Sequence, residues 1–160
     1  MEDLYARQRA RQIELVPFFY STSFAATVLL GGVTIAQNIP IQSDSHFVVR
    51  YINATAYTAG VIVSVLGAPL LINFFDTGSG RTLQDSPQPI QNLCGGSAAL
   101  GGGFGQMPFI LPEPWFVRAG GVIQIGITNL NTTQALRLDV SLVGIKVFKF
   151  GIAQPGDIFS

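Results

Sequence analysis

The stretch Leu136-Arg137-Leu138-Asp139-Val140-Ser141-Leu142 alternates apolar and polar residues at every step. A period of two sets the four apolar residues on one face of an extended strand and Arg137, Asp139 and Ser141 on the other. Working outward, segment 122–128 repeats the pattern with Ile123, Ile125 and Ile127. Segment 46–52 sets Phe47, Val49 and Tyr51 against His46, Val48 and Arg50. Segments 61–66 and 70–75 are apolar on both faces, as expected of strands buried on two sides or lying at a subunit contact. Asn53-Ala54-Thr55, Gly67-Ala68-Pro69, Gly120-Gly121 and Asn129-Leu130-Asn131 carry turn residues and punctuate the strands. About seven to nine short strands with no long helix predict an all-β sandwich or barrel.

Two regions fall outside the strand pattern. Residues 1–23 read as an N-terminal arm, with a short helix within Asp3 to Glu14 that Pro17 ends. From about Asp76 to Pro114 one long connection holds Pro87, Pro89, a glycine run between Gly95 and Gly105, Pro108, Pro112 and Pro114. A connection of that length is ordinarily an interaction surface or a functional loop. The expected organisation is an arm (1–23), a sandwich domain (24–150) and a tail (151–160).

Charge separates the possible functions. Lys and Arg number 9, Asp and Glu 9, so charged residues are 11% of the chain, against about 25% in an average soluble domain. Hydrophobic residues make up 48%, and 12 residues are Phe. A free monomer so poor in charge has little to keep it soluble, which points to a surface covered by other subunits. Zero net charge argues against nucleic-acid binding, which needs a concentrated basic face; the only basic cluster is Arg7, Arg9 and Arg11. One Cys (Cys94) excludes an intrachain disulfide and a thiolate zinc cluster, and one His (His46) excludes a histidine-rich metal site. No cofactor or metal is expected. The stretch between Glu14 and Asp44 lacks charge, but Pro17, Ser21-Thr22-Ser23, Gly31-Gly32, Asn38 and Pro40 interrupt it. It is not expected to span a membrane.

The sharpest chemical motif is Phe74-Phe75-Asp76-Thr77-Gly78-Ser79-Gly80. It resembles the catalytic turn of aspartic proteases, whose paired carboxylates share one proton. Leu142-Val143-Gly144 resembles the apolar element that braces that turn, and a single motif would require a homodimer. The same residues are what a plain β-turn needs, with Asp at its start and glycines for positive φ. Arg81 stands close enough in sequence to pair with Asp76. Gly101-Gly102-Gly103-Phe104-Gly105 lacks the Lys-Ser/Thr of a phosphate loop, and Cys94 has no basic partner nearby. A carbohydrate-binding sandwich stacking sugars on Trp115 or Tyr57 is a further alternative. No catalytic residue is expected, and the chain reads as a structural protein rather than an enzyme.

From about Ile41 to Phe150 the order of features resembles small virion structural proteins of tailed bacteriophages. The resemblance runs through Ile41-Gln42-Ser43-Asp44-Ser45-His46-Phe47 and the strand Leu70–Phe75 with Asp76, Ser79-Gly80-Arg81 and Leu83. It continues through Pro108-Phe109-Ile110-Leu111-Pro112, Ile123-Gln124-Ile125 and Val140-Ser141-Leu142-Val143-Gly144-Ile145-Lys146. It implies a jelly-roll-like sandwich located in the virion. The implied function is a capsid cement or decoration protein bridging major capsid subunits, or else a neck, collar or tail component. The implied partners are the major capsid protein or other virion proteins, together with further copies of the chain as a dimer or trimer. Aromatic residues of the arm (Phe18, Phe19, Tyr20) and of the long loop (Phe104, Phe109, Trp115) are the expected interface anchors.

Overall fold

A computed structural model describes residues 2–9, 13–26, 29–58, 61–63, 68–93, 96–98, 104–106 and 108–149. Helix α1 (Glu2–Arg9) precedes strands β1 (Ile13–Phe24), β2 (Thr34–Pro40), β3 (His46–Thr58), β4 (Val61–Val63) and β5 (Leu70–Asp76). Short pieces follow: β6 (Arg81–Thr82), β7 (Gln88–Pro89), α2 (Ile90–Leu93), β8 (Gly96–Ala98) and β9 (Phe104–Gln106). Then come β10 (Phe109–Val117), β11 (Val122–Asn129) and β12 (Arg137–Lys149).

The long strands form two antiparallel sheets. Sheet A has the order β1-β12-β3-β10, with β4 added to β3. Sheet B has the order β2-β11-β5-β6, with β7 also on β5. The chain alternates between the sheets from β1 to β3, and the last strand inserts between the first and third. This is the jelly-roll strand order, two Greek keys folded into a sandwich. The all-β sandwich expected from the alternation is therefore the observed architecture.

The inward faces follow period two. Ile123, Ile125 and Ile127 of β11 are fully buried and pack with Leu70, Ile72 and Phe74 of β5. Leu138, Val140 and Leu142 of β12 face them from sheet A, beside Ile52, Ala54 and Ala56 of β3. Each Ile, Leu, Val or Phe side chain among them contributes roughly 1.5–3 kcal/mol by leaving water, and together these rows fix which face of each strand is inside.

Three local expectations are corrected. Residues 13–24 are no arm but the edge strand β1, paired with β12 along its whole length from Ile13↔Lys149 to Phe24↔Leu138. The sandwich thus begins near Ile13 rather than residue 24. Asn53-Ala54-Thr55 is no turn; it lies inside β3, where Ala54 packs in the core. The long connection is also shorter than expected, since Phe109 to Pro114 belong to β10. Cys94, residues 99–103 and the tail 151–160 lie outside the described residues.

The alternation also breaks where it reads cleanest in β3. Val143 pairs Tyr51 but Gly144 pairs Val49, so Arg50 has no partner on β12. This bulge turns Tyr51 away from the face shared by Phe47 and Val49. The two backbones close together there: a Cβ on Gly144 would stand 2.0 Å from the carbonyl oxygen of Val48. A Cβ on Gly126 would come as near, but to the Asn73 side-chain oxygen at 2.1 Å, which can swing aside. Gly144→Ala is therefore expected to destabilise the fold by about 3 kcal/mol, at the upper end of ordinary overpacking costs, and Gly126→Ala by distinctly less. Urea unfolding of both variants checks the ranking.

Candidate functional site

Register carries the apolar surface of this molecule. Phe19 of β1 pairs Val143 of β12, Val143 pairs Tyr51 of β3, and Tyr51 pairs Ile110 of β10. These four residues form one transverse row across the outer face of sheet A. The next row runs Pro17, Ile145, Val48 and Phe116. Phe19 is 63% exposed, Ile110 65% and Phe116 43%. The other half of the same face is polar, with rows Ser21–Ser141–Asn53 and Ser23–Asp139–Thr55. The outer face of sheet B mixes polar and apolar residues, in the rows Thr34–Thr128–Leu71, Ala36–Gly126–Asn73 and Asn38–Gln124–Phe75. Helix α1 covers one end of the apolar half, where Leu4 packs with Ile13, Leu15, Val48 and Val147, and Ile145 beside Val48 is also buried.

The six expected anchors separate. Phe19 is exposed, on this apolar half-face. Phe18 and Tyr20 alternate with it and point inward, packing against the core. They have a partner there. Lys146 of β12 is buried, with its ammonium 4.2 Å from the Phe18 ring centre and 5.8 Å from those of Tyr20 and Phe148. Its ammonium donates to Gln42 Oε1 and lies 3.7 Å from Asp44 Oδ1. The Tyr20 hydroxyl accepts from the Gln42 N–H at 3.1 Å. A buried ammonium needs such partners, so the aromatic pair belongs to this cage. Phe109 and Trp115 are likewise half-buried against the core. Nothing is described of the Phe104 side chain. Ile110 of β10 is exposed and was not among the expected anchors; within Pro108-Phe109-Ile110-Leu111-Pro112 only cross-strand register sets it apart from Phe109.

Asp76 ends β5 facing inward and is 3% exposed. Its Oδ1 accepts from the N–H groups of Gly78 (2.9 Å) and Ser79 (3.3 Å), and its Oδ2 accepts from the Ser79 hydroxyl at 2.6 Å. Gly80 closes the turn with φ of 69° and donates to the Asp76 carbonyl at 2.9 Å. The motif is thus a self-capped turn. Leu142-Val143-Gly144, the expected brace, sits in sheet A, whereas Asp76 is in sheet B. Among the described residues no three His, Cys, Asp or Glu gather as metal ligands. No helix among them is long and apolar enough to cross a membrane.

Beside this turn the end of the sandwich opens into a cleft of about 610 Å³. Arg81 and Ser79 line it from sheet B, and Trp115, Phe116 and Arg118 from the end of β10. His46 holds the wall in place: its ring stacks on Phe116 with centroids 5.1 Å apart, and its Nδ1 accepts from the Ala119 N–H at 3.1 Å. Burial, and then the positive charge of Arg118, lower the His46 pKa below its usual 6.5.

The comparison with protein-family models finds no match, nor does the comparison with curated proteins. Among solved structures, the chain is similar to a chain of the cyanophage Pam1 capsid asymmetric unit, with 13% identity, 84% of this chain and 86% of that chain covered, and a TM-score of 0.44. It is similar more distantly to VP2 of the infectious bursal disease virus subviral particle, with 12% identity, 91% and 46% covered, and a TM-score of 0.24. The fold assignment stands on the strand order itself.

The His46 environment sets a pH dependence. The folded state binds the His46 proton less readily than the unfolded chain, so this residue's contribution is fully present above the unfolded value of 6.5 and is lost as pH falls from there through the lowered folded value. His46→Gln is expected to flatten the fall in stability just below 6.5, as followed by denaturant midpoints across that range.

Proposed function

We propose that this chain is a structural component of a virus particle, acting as a cement or decoration protein that bridges major capsid subunits. One observation carries the proposal: half of the outer face of sheet A is built of apolar residues, with Phe19 at one edge and Ile110 and Phe116 at the other exposed, and Val48 and Ile145 buried between them. Large apolar patches on soluble chains mark contact surfaces. The partner is a neighbouring shell subunit, because a chain with only 11% charged residues is suited to a surface that stays covered. The resemblance of the sequence to virion proteins of tailed bacteriophages supports the same location. A jelly roll by itself fits many functions, so the weight rests on the patch.

Each subunit would lay this half-face on its neighbours, and shell opening would then require exposing apolar area in addition to breaking the shell's own contacts. Copies of the chain would meet one another around a symmetry axis as a dimer or trimer. Phe19 and Ile110 replace the inward-facing Phe18, Tyr20 and Phe109 as the proposed anchors.

The test is rebinding of purified chain to shells lacking it. Phe19→Ser and Ile110→Ser together are expected to weaken binding at least about tenfold, the ratio that ~1.4 kcal/mol sets, with the melting temperature retained. Phe18→Ser should instead lower the melting temperature, since its ring packs on Lys146. Wild-type occupancy of the double Ser variant would remove sheet A from the proposal.

A further inference from the structure

Strand β2 is the unguarded edge of this sandwich. An edge strand presents unpaired N–H and C=O groups, and proteins guard such edges with charge, proline, a bulge or brevity. β1, at one edge of sheet A, carries Glu14 and Pro17. β10, at the other, has Pro112, Glu113 and Pro114 across its register break. β4, β6 and β7 have only three, two and two residues. β2 has none of these devices. Thr34 to Ile39 hold no charge and no proline, and the pairing with β11 runs from Thr128↔Thr34 to Val122↔Pro40 without a shift.

The phase of the hydrogen bonds decides which groups face outward. The Ile41 N–H donates to the Gly121 carbonyl at 2.8 Å, and the Asn129 N–H donates to the Val33 carbonyl at 3.0 Å. Bonded positions alternate along an antiparallel pair, so residues 33, 35, 37, 39 and 41 turn their backbone groups to β11. Thr34, Ala36 and Asn38 turn theirs away from it, to the edge of sheet B. All three residues are exposed. The Thr34 hydroxyl bonds Thr128 Oγ1 at 2.8 Å, and Asn38 Oδ1 accepts from Gln124 at 3.3 Å. Both side chains are thus drawn back over β11 and leave the edge clear. On the inner side the Thr22 hydroxyl of β1 donates to Gln37 Oε1 at 2.5 Å and ties the two sheets together there.

We propose that this edge pairs with the β2 edge of a second copy, antiparallel about a two-fold axis at Ala36, so that sheet B runs on from one copy into the other. Self-complementarity selects that occupant. The axis sets Ala36 opposite Ala36 of the second copy and Thr34 opposite its Asn38, and each of these pairs exchanges two N–H···O=C bonds. Moving the axis to Gln37 would set Thr34 opposite Pro40, which has no N–H to give. Two methyl groups meet at the axis, and an uncharged strand brings no like charges face to face. A two-fold contact uses the same patch on both copies, and β2 supplies both halves of it. The pairing needs no shell, so it stands apart from the virion reading.

Sedimentation of the full-length chain tests it. The chain is expected to be a dimer, and Ala36→Pro to weaken that dimer at least about tenfold. Proline at this position removes an N–H that faces the second copy and none that faces β11, which an edge strand tolerates, so the monomer should keep its β-sheet circular dichroism. Ala36→Lys sets two like charges across the axis and should act the same way without altering the backbone. Ile110→Ser, on β10 of sheet A, should leave the dimer intact. The register is read by cross-linking in a Cys94→Ser background. Ala36→Cys is expected to form a disulfide between copies, because the Cα atoms of a bonded pair stand about 5.5 Å apart. Asn38→Cys is not, because its two copies stand four positions apart along the strand, about 13 Å. A chain that stays monomeric at every concentration would overturn the inference. So would a dimer that survives both Ala36 variants, or one linked through Asn38→Cys and not through Ala36→Cys. A monomer whose Ala36→Pro form no longer rebinds to shells would also overturn it, by giving the edge to a shell subunit.

Discussion

Everything in this molecule hangs on β12, which must enter the slot between β1 and β3 after all the other strands have been made. It pairs β1 along all twelve residues of that strand and β3 from Tyr57 to His46. Without it β1 has no partner and sheet A is reduced to β3 with β4 and β10. Such long-range pairing must meet its loop-closure cost before any contact rewards it. The sequence strengthens this strand at three levels. Leu138, Val140 and Leu142 seal the interior, Gly144 lets the β3 bulge close, and Lys146 pins the β12 end to the 42–44 loop through its aromatic cage.

The same strand organises the exterior. Its outward residues change from Asp139 and Ser141 to Val143, Ile145 and Val147 along its length, and register transmits that change sideways to β1, β3 and β10. The result is a face that is polar at one end and apolar at the other. Helix α1 caps the apolar end, with Val48 and Ile145 buried, and leaves Phe19, Ile110 and Phe116 exposed at the edges. The account of the chain as a virion component rests on these exposed edge residues, and on a composition that makes lasting exposure unfavourable.

The fold was legible in the sequence wherever period two ran unbroken, as in Ile123-Ile125-Ile127 and Leu136 to Leu142. It was misread where a local signal competed with tertiary pairing. Asn53 and Thr55 resemble turn residues, yet they lie on the polar outer half of β3, where side-chain polarity is no obstacle to strand formation. Tyr51 appears in phase with Phe47 and Val49 only if no residue is bulged, and nothing in Val49-Arg50-Tyr51 announces the bulge. Pro17 stops a helix, but it is tolerated on an edge strand, so β1 continues through it. Asp76 was legible as a turn, because Asp-Thr-Gly-Ser-Gly supplies both the capping carboxylate and the glycine with positive φ. The contact surface was only half legible. Phe18, Phe19 and Tyr20 are equivalent by type, and the strand pleat alone decides that Phe19 is exposed while Phe18 and Tyr20 wall in Lys146. Ile110 lies in a stretch that reads clearly in sequence, but its exposure is decided only by which residue of β3 it pairs.

The central claim is that this chain is a stoichiometric part of a particle, held there through sheet A. Quantitative mass spectrometry of purified virus particles measures it most directly, as copies of this chain per copy of the major shell protein. The account predicts a ratio near one or a simple fraction of it, as a protein spread across a shell requires. Absence of the chain from particles would contradict it.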